Sequence, residues 1–392
     1  MAQRTRKQEA PHLDLLLLVT LLALLAYGLL MLYSATFYVG VDFWHRQVKW
    51  VLLGVAVLMF MFAVPYPVWQ RLATPMMGAT LILLSLVLLM GETVLGAQRQ
   101  LEFLGVSVQP GVIARLAAVI YIAAWLASKG DQLNQIGYGL IPFAIIIGVV
   151  AGLVALQPDL STALLLTVTG LAMFFFAGGD PIQIFLSVVM GGASFGFMAW
   201  QLPHARQRLM EYLVALKDPA QMPYHVHRAM TAIGEGGLWG VGIGSGQLKA
   251  GYLPFPHTDS VFAVIGEEAG LLGALLVLAL FVLFAYRGYQ VTLGTPDPFG
   301  SLLAFGVTTM IVTEALLNML VLVGLIPFTG TALPFFSYGG TEMLLTMAGV
   351  GLLLNVSRGR PKGEANAFLD SRWWNWWTYL SRVGRRSGAA GH

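Results

Sequence analysis

The sequence contains no cysteine and little charge. Asp, Glu, Lys and Arg together make up 10% of the 392 residues, whereas about 25% is usual in soluble proteins. The absence of cysteine excludes disulfides, thiolate catalysis and metal sites built on thiolates. P-loop, H-E-x-x-H and EF-hand patterns are also absent, so the sequence does not support ATP-driven chemistry. A net charge of only +3 argues against nucleic-acid binding.

Hydrophobic residues make up 57% of the chain. They are concentrated in blocks of roughly 18–25 residues, long enough to cross about 30 Å of hydrocarbon as helices. Lipid offers backbone groups no partners, and continuous apolar runs without strict alternation favour helices over barrel strands. The sequence therefore predicts an all-α, polytopic membrane protein with about ten transmembrane helices. The predicted spans lie near residues 13–36, 47–64, 74–91, 111–128, 138–156, 160–177, 182–201, 259–286, 299–325 and 336–356.

Basic residues indicate how these spans are oriented. Arginine and lysine near span ends favour the cytoplasmic side, and both ends of the chain are basic, at residues 4–7 and 358–362. An even number of spans places both ends on one side, so we expect both termini in the cytoplasm. Arg46, Arg99 and the basic residues of the segment 202–258 fall on the opposite side, which weakens this orientation without reversing it.

Three parts are expected along the chain: a cytoplasmic N-terminal segment (1–12), a transmembrane domain (13–357) and a cytoplasmic tail (358–392). The Trp373–Trp377 cluster in the tail is typical of a membrane-interface anchor. One long extracytoplasmic loop, about 202–258, interrupts the spans. Its glycine-dense part, 233–246, is compatible with a flexible loop, or with close approach to a ligand and backbone N–H groups directed at an anion.

Acidic residues around the start of the eighth span are the strongest candidates for chemistry. Asp259 follows His257-Thr258 and precedes an apolar run, which predicts a partly buried carboxylate with access to substrate, as a catalytic base requires. The alternative is an N-cap that accepts backbone N–H bonds, and a metal-binding role also stays open. Glu267 and Glu268 cannot both face the pocket of Asp259, because they lie about 80° and 180° from it around the helix. A structural role in helix packing is favoured for them.

Three basic residues share the predicted outer side with Asp259. Arg99, Arg115 and Lys249 would form a cationic groove suited to a pyrophosphate. The alternative for an arginine near a span end is that it snorkels to the membrane boundary. Asp159 is expected to cap a helix in the same outer layer.

Polar residues in and just before the last two spans are further candidates for functional roles. Asn318 shares a helix face with Glu314 at i, i+4, and such pairs more often join helices than bind ligands. The turn before the tenth span contains two prolines and several glycines, which predicts a rigid, re-entrant shape. Ser337, Tyr338 and the backbone at Gly339 could present hydrogen-bond donors inward from this turn.

Several short motifs, in order along residues 13–357, resemble the SEDS (shape, elongation, division and sporulation) family, to which FtsW and RodA belong. The match rests on Tyr33-Ser-Ala35, Gly96-Ala-Gln-Arg99, Gln109-Pro110, Gln157-Pro-Asp159, Ala232-Ile-Gly234, Tyr252-Leu-Pro254, His257-Thr-Asp259, Phe262-Ala-Val-Ile-Gly-Glu-Glu268, Leu333-Pro-Phe335 and Ser337-Tyr-Gly-Gly340. Within the family, the pattern at 240–244, Lys249 and 251–254 is more similar to the FtsW branch than to RodA.

The resemblance implies a peptidoglycan glycosyltransferase of the bacterial cytoplasmic membrane that polymerises lipid II and releases undecaprenyl diphosphate. The family's essential aspartate maps onto Asp259, which would act as general base for the 4-hydroxyl of the acceptor sugar. The diphosphate would be stabilised by cations, with Arg99, Arg115 and Lys249 as candidates and a divalent ion, magnesium or manganese, left open. The substrate-binding set also includes His257, Thr258, Ser337, Tyr338 and Gly339. The usual partner is a class B penicillin-binding protein.

This sequence departs from the family pattern at several positions. A usual glutamate is replaced by Val112, and a usual lysine is replaced by Arg115, which keeps the charge but not the geometry. A usual glutamine in the ninth span is Glu314. The other departures are Gln100, Phe255 and Ser260.

Two alternatives to a polymerase stay open on the sequence. One is a transporter that moves lipid II across the membrane, which polar residues deep in several spans would favour. The other is an inactive scaffold that recruits cell-wall enzymes, which the departures from the family pattern would favour. Because the polar motifs gather mainly at the outer boundary, the sequence favours surface chemistry.

Overall fold

The computed structural model describes residues 14–358, apart from 39, 91, 95–96, 104–105 and 219–220, and gives no side-chain detail for 90, 92–94, 97–103, 106–108 and 131. The predicted N-terminal segment 1–12 and most of the tail, with Trp373–Trp377, lie outside these residues. The helices are α1 (Leu15–Thr36), α2 (Asp42–Ala63), α3 (Tyr66–Met90), α4 (Pro110–Lys129), α5 (Leu140–Leu156), α6 (Leu160–Phe176), α7 (Pro181–Gln201), α8 (Pro203–Ala215), α9 (Tyr224–Gly236), α10 (Val261–Leu293), α11 (Pro298–Leu322) and α12 (Gly340–Ser357).

A helix occupies each of the ten predicted spans, so the predicted fold class is confirmed. Eight helices in the described part of the chain are long and apolar enough to cross a membrane. The other two, α5 and α6, have 17 residues each. At 1.5 Å per residue they are only about 26 Å long, slightly less than the thickness of the hydrocarbon layer.

Burial separates the central helices from the peripheral ones. Helices α4, α11 and α12 are buried along most of their length, whereas α7 buries only Gln183 and Ala199. Small residues allow the central helices to approach closely, as at Gly349, where an added Cβ would lie 3.2 Å from a methyl carbon of Val307. Close packing of this kind drives helix association in lipid, where the hydrophobic effect does not act between helices.

A three-stranded antiparallel sheet connects α3 to α4, which the sequence analysis did not predict. Its strands are β1 (Glu92–Val94), β2 (Ala97–Phe103) and β3 (Val106–Val108), in the order β1-β2-β3. β1 and β3 have three residues each, too short for an alternating pattern to be recognised. Arg99 and Gln100 lie on β2, outside the residues whose side chains are described.

The predicted outer loop 202–258 contains two helices, α8 and α9. The first of them, α8, lies in the part of the loop that carries most of its charged residues. The glycine-dense part packs against α10: an added Cβ at Gly240, where φ is +80°, would lie 2.2 Å from the carbonyl oxygen of Glu268. Glycine is therefore needed here for contact between two backbones. The flexible-loop interpretation does not describe this packed segment.

Candidate active site

Asp259 lies half-buried on the turn that precedes α10. The helix begins at Val261 and its N-cap residue is Ser260, so the alternative that Asp259 is the N-cap is wrong. The carbonyl oxygen of Asp259 accepts a hydrogen bond of 2.9 Å from Nδ2 of Asn318. The same nitrogen donates to the carbonyl of Thr331 at 2.6 Å. Asn318 therefore fixes the backbone of the turn from α11, in agreement with its predicted structural role.

Two hydrogen bonds join this turn to the turn before α12. The hydroxyl of Ser337 donates to the carbonyl of Thr258 at 2.6 Å, and the N–H of Tyr338 donates to the carbonyl of His257 at 2.7 Å. The Ser337 hydroxyl also accepts from the N–H of Leu333 at 2.8 Å. The predicted substrate-binding role of Ser337 needs correction, because its buried hydroxyl already holds the two turns together.

Gln47 of α2 fixes the same turn from the other side and was missed by the sequence analysis. Its Nε2 donates to the carbonyl of Ser337 at 3.2 Å, and its Oε1 accepts from the N–H of Gly339 at 3.2 Å. The Gly339 N–H, predicted to contact substrate, is therefore used within the protein. A glutamine in an apolar helix was a usable signal, because lipid provides no partner for its amide.

His257 contributes a neutral imidazole beside Asp259. Its ring lies 4.7 Å from the ring of Phe43 and 6.1 Å from that of Tyr338, centroid to centroid. Burial lowers the pKa of His257 below its ordinary value, so the ring is uncharged at neutral pH. Its Nδ1 is buried and has no hydrogen-bond partner among the described residues.

The segment 327–333 lies against the carboxylate of Asp259. Gly330 has φ of +69°, and an added Cβ there would lie 3.3 Å from Oδ2 of Asp259. The hydroxyl of Ser161, at the start of α6, donates to the carbonyl of Thr329 and anchors the segment. The carboxylate is therefore bordered by backbone that carries no side chain.

His225 of α9 contacts Ser260, in the turn that carries Asp259, and was also missed by the sequence analysis. Its Nε2 lies 2.8 Å from the hydroxyl of Ser260, which donates to the carbonyl of Pro254 at 2.8 Å. The imidazole packs 4.2 Å from the ring of Phe328. Burial, and secondarily the charge of Arg208, lowers the pKa of His225 to about 4. His225 is therefore neutral, and Ser260, a departure from the family pattern, is its hydrogen-bond partner.

Arg115 is only 4% exposed and lies in a buried ion cluster. Its Nη1 is 2.6 Å from Oε1 of Glu314, and its Nη2 contacts Oε1 of Glu342. The snorkelling alternative is therefore wrong, and the predicted part in diphosphate binding needs correction because both acidic partners are internal. Two departures from the family pattern, at residues 115 and 314, form one ion pair. Glu314 thus joins α11 to α4, as a polar residue in a span was expected to do.

Lys249 is also buried in an ion pair, at 1% exposure. Its Nζ contacts Oε1 of Glu268 and lies 2.6 Å from the hydroxyl of Ser34 on α1. Glu268 accepts a further bond of 3.1 Å from the N–H of Gly244. The predicted role of Lys249 in diphosphate binding needs correction, because its charge is neutralised inside the protein. The glycine-rich backbone does bind an anion, but the anion is the protein's own carboxylate.

Glu267 and Asp159 have the structural roles predicted for them. Oε1 of Glu267 accepts from the N–H groups of Gln247 and Leu248 at 2.6 and 3.1 Å. Asp159 caps α6, with 3.1 Å between its Oδ1 and the N–H of Thr162. Both carboxylates therefore stabilise loops near the site through backbone hydrogen bonds.

The residues around Asp259 do not fit a divalent cation site built by the protein. Such ions require several oxygen ligands, and no group of three or more His, Asp or Glu side chains in the described residues is arranged to hold a metal.

Together these features define a polytopic helical membrane protein whose candidate site is built from interhelical turns at one end of the bundle. A family model described as cell cycle protein, FtsW/RodA/SpoVE, matches residues 14–362, and the chain belongs to this family. It is 35% identical to a probable peptidoglycan glycosyltransferase FtsW of Geobacter metallireducens over 91% of this chain and 97% of that protein. It is 34% identical to stage V sporulation protein E of Bacillus subtilis over 90% and 99%.

Solved structures agree with the family assignment. A chain from a peptidoglycan synthase complex, described as coordinating polymerization and crosslinking, superposes with a TM-score of 0.76 at 27% identity, covering 90% of this chain and 99% of that chain. The rod shape determining protein RodA of Thermus thermophilus superposes with a TM-score of 0.68 at 27% identity, covering 90% and 98%.

Proposed function

We propose that this protein is a peptidoglycan glycosyltransferase that polymerises lipid II, with Asp259 as the general base. The observation that carries the proposal is the position of Asp259. Its carboxylate is half-buried, bordered by Gly330 and next to the neutral imidazole of His257. Glu267, Glu268 and Glu314, by comparison, are almost fully buried. Relatives named peptidoglycan glycosyltransferase support the assignment of substrate.

The reaction requires one proton transfer and one exchange of bonds at carbon. Asp259 accepts the proton of the acceptor sugar's 4-hydroxyl as that oxygen attacks the anomeric carbon of the donor. The new glycosidic C–O bond forms while the bond from the anomeric carbon to the diphosphate oxygen breaks, and the lipid diphosphate leaves with the electron pair. A base held in place contributes roughly 10²–10⁴-fold to such a step. Its backbone bond to Asn318 limits its movement.

The remaining polar groups near Asp259 bind and orient the sugar. Nδ1 of His257 is free of partners among the described residues and accepts or donates one hydrogen bond, according to its tautomer. Thr258 and Tyr338 belong to the two joined turns. Arg99 is the cation proposed for the diphosphate, because Arg115 and Lys249 are neutralised by internal acids.

We also propose a membrane location and a partner for the protein. The protein lies in the bacterial cytoplasmic membrane with both termini in the cytoplasm, which places the Asp259 turn on the outer face. The partner is a class B penicillin-binding protein. Similarity to a chain of a complex that coordinates polymerization and crosslinking supports a crosslinking partner.

The structure gives the two alternatives less support than the sequence did. Three charged groups within the spans, Arg115, Glu314 and Glu342, bind one another, which does not favour a transport path. Arg115 stands where the family usually has lysine, and Glu314 stands where it usually has glutamine. Because the two side chains form an ion pair, these two departures from the family pattern compensate each other. They no longer favour an inactive scaffold.

Asp259→Asn tests the proposal. We expect the purified variant, with its class B partner, to form no glycan strands from labelled lipid II at neutral pH. The amide of asparagine cannot accept the proton of the acceptor hydroxyl. The thermal midpoint should match that of the wild type. Asp159→Asn is the control: asparagine still caps α6, so polymerisation should continue. Strand formation by Asp259→Asn at the wild-type rate would refute the base assignment, and loss of activity in both variants would show that the effect is not specific to residue 259.

A further inference from the structure

The buried guanidinium of Arg115 has one nitrogen that the ion cluster does not use. Nη1 and Nη2 bind Glu314 and Glu342. The third nitrogen, Nε, is buried and has no hydrogen-bond partner among the described residues. A buried donor without a partner is costly, and native structures rarely keep one.

Thr169 of α6 presents a second polar atom of the same kind. It is 3% exposed, and its Oγ1 has no hydrogen-bond partner in the described part of the chain. Threonines in helices commonly donate to the carbonyl four residues earlier. Thr167, two residues away, does so, bonding to the carbonyl of Ala163 at 2.8 Å. The hydroxyl of Thr169 is not satisfied by this local bond.

Both atoms belong to residues that line one small cavity between α4, α6 and α11. Its other walls are apolar, from Ala118, Val119, Ile122, Leu165, Leu166, Gly170 and Met310. The cavity leaves about 10 Å³ for the centre of a water molecule, which is about the space that one ordered water needs.

We infer that this cavity is a binding site for a single structural water that accepts a hydrogen bond from Nε of Arg115 and bonds to Oγ1 of Thr169. An anion suits the site poorly, because Arg115 already faces two carboxylates. A water satisfies both protein atoms and brings no charge. It connects α6 to the cluster that joins α4, α11 and α12, and it gives the third nitrogen of the guanidinium a partner.

The orientation of Arg115 has consequences for the candidate active site. Glu314 lies one turn before Asn318, whose amide holds the carbonyl of Asp259. Glu342 lies in the first turn of α12, directly after the turn that binds Thr258. The water therefore supports a positioning cluster beneath the site and does not itself touch substrate.

The test is a structure of the full chain in nanodiscs at a resolution that shows ordered water, together with three variants. Thr169→Val removes the hydroxyl at almost constant volume, and Thr169→Ser keeps it. Thr167→Val is the matched control, since it removes a helix threonine hydroxyl that does not line the cavity. We expect density within hydrogen-bond distance of both atoms in the wild type, and none in Thr169→Val.

Thermal unfolding gives a second measurement. Thr169→Val should lower the midpoint by a few degrees more than Thr167→Val does, while Thr169→Ser should remain close to the wild type. An empty cavity in the wild-type map, or equal midpoints for the two valine variants, would overturn the inference. Density explained only by a direct bond between Arg115 and Thr169 would overturn it as well.

Discussion

Asp259 and Glu268 are acidic residues of the same chain segment, one just before α10 and one two turns inside it, yet the protein holds them differently. Glu268 is bound through its side chain, by Lys249, Ser34 and the N–H of Gly244. The turn of Asp259 is fixed through its backbone, by Asn318, while the carboxylate stays half-exposed. The Glu268 carboxylate closes a buried ion pair that stabilises the fold, whereas Asp259 keeps part of its surface exposed, as the proposed general base requires.

The largest expected effect comes from breaking the buried pair. Lys249→Met should reduce the free energy of unfolding by about 3–5 kcal/mol, because it leaves the Glu268 carboxylate buried without a counter-charge. Lys217→Met, at an exposed position in the turn after α8, is the control and should change stability by less than about 0.5 kcal/mol. Chemical denaturation in detergent measures both. Equal stability of the two variants would show that the ion pair between Lys249 and Glu268 does not stabilise the fold.

The support behind the Asp259 turn should respond to pH. The pKa of His225 is lowered from 6.5 to about 4, so between these values the unfolded chain binds a proton that the folded protein does not. The stabilising contribution is therefore fully present above about pH 6.5 and is lost as the pH falls toward 4. Because the ring is partly exposed, we expect a loss of about 1–2 kcal/mol between these limits.

Two variants isolate this contribution. His225→Gln keeps a donor for Ser260 and should flatten the dependence of unfolding free energy on pH between 7 and 5. His204→Gln, at an exposed position on α8, should keep the wild-type dependence. If His225→Gln retains the full slope, the stability change arises from another group.

An effect smaller than that of Lys249→Met is expected from loosening the two joined turns. Ser337→Ala removes the hydrogen bond to the Thr258 carbonyl and leaves the Leu333 N–H without its acceptor, which should cost about 1–3 kcal/mol. Polymerisation should fall as well, because the turn that carries Asp259 loses one of its attachments. Ser85→Ala, which removes only an exposed bond to Leu81, should leave both properties unchanged. A fully active Ser337→Ala would mean that the two turns need not be joined for catalysis.

Much of the bundle could be predicted because hydropathy over a span is a local property of the sequence. The ten apolar blocks all became helices, and Asp159 became the cap that its position after Gln157-Pro158 indicated. The strands β1 and β3 before α4 were not predicted, since three residues carry too little pattern. The burial of α9 depends on contact with α10, which its own sequence does not show.

The partners of the basic residues could not be predicted for the same reason. Lys249 and Ser34 are 215 residues apart along the chain, and Arg115 and Glu314 are 199 apart. A usable signal did exist, because an ionisable residue inside a span needs a partner there. Arg115 and Glu314 were both visible as such residues, and pairing them would have removed Arg115 from the list of diphosphate ligands.

The smallest change tests the space beside the Asp259 carboxylate. Gly330→Ala places a Cβ 3.3 Å from Oδ2 in a backbone conformation with φ of +69°, and the strain should cost about 1 kcal/mol. Gly178→Ala is the matched control, since φ there is +93° and nothing lies within 4 Å of the added Cβ. Both variants should lose similar stability in thermal unfolding, but only Gly330→Ala should slow strand formation from lipid II. Equal polymerisation rates would mean that the space beside Gly330 is not where the acceptor sugar binds, because a methyl group there would otherwise displace the hydroxyl from its base.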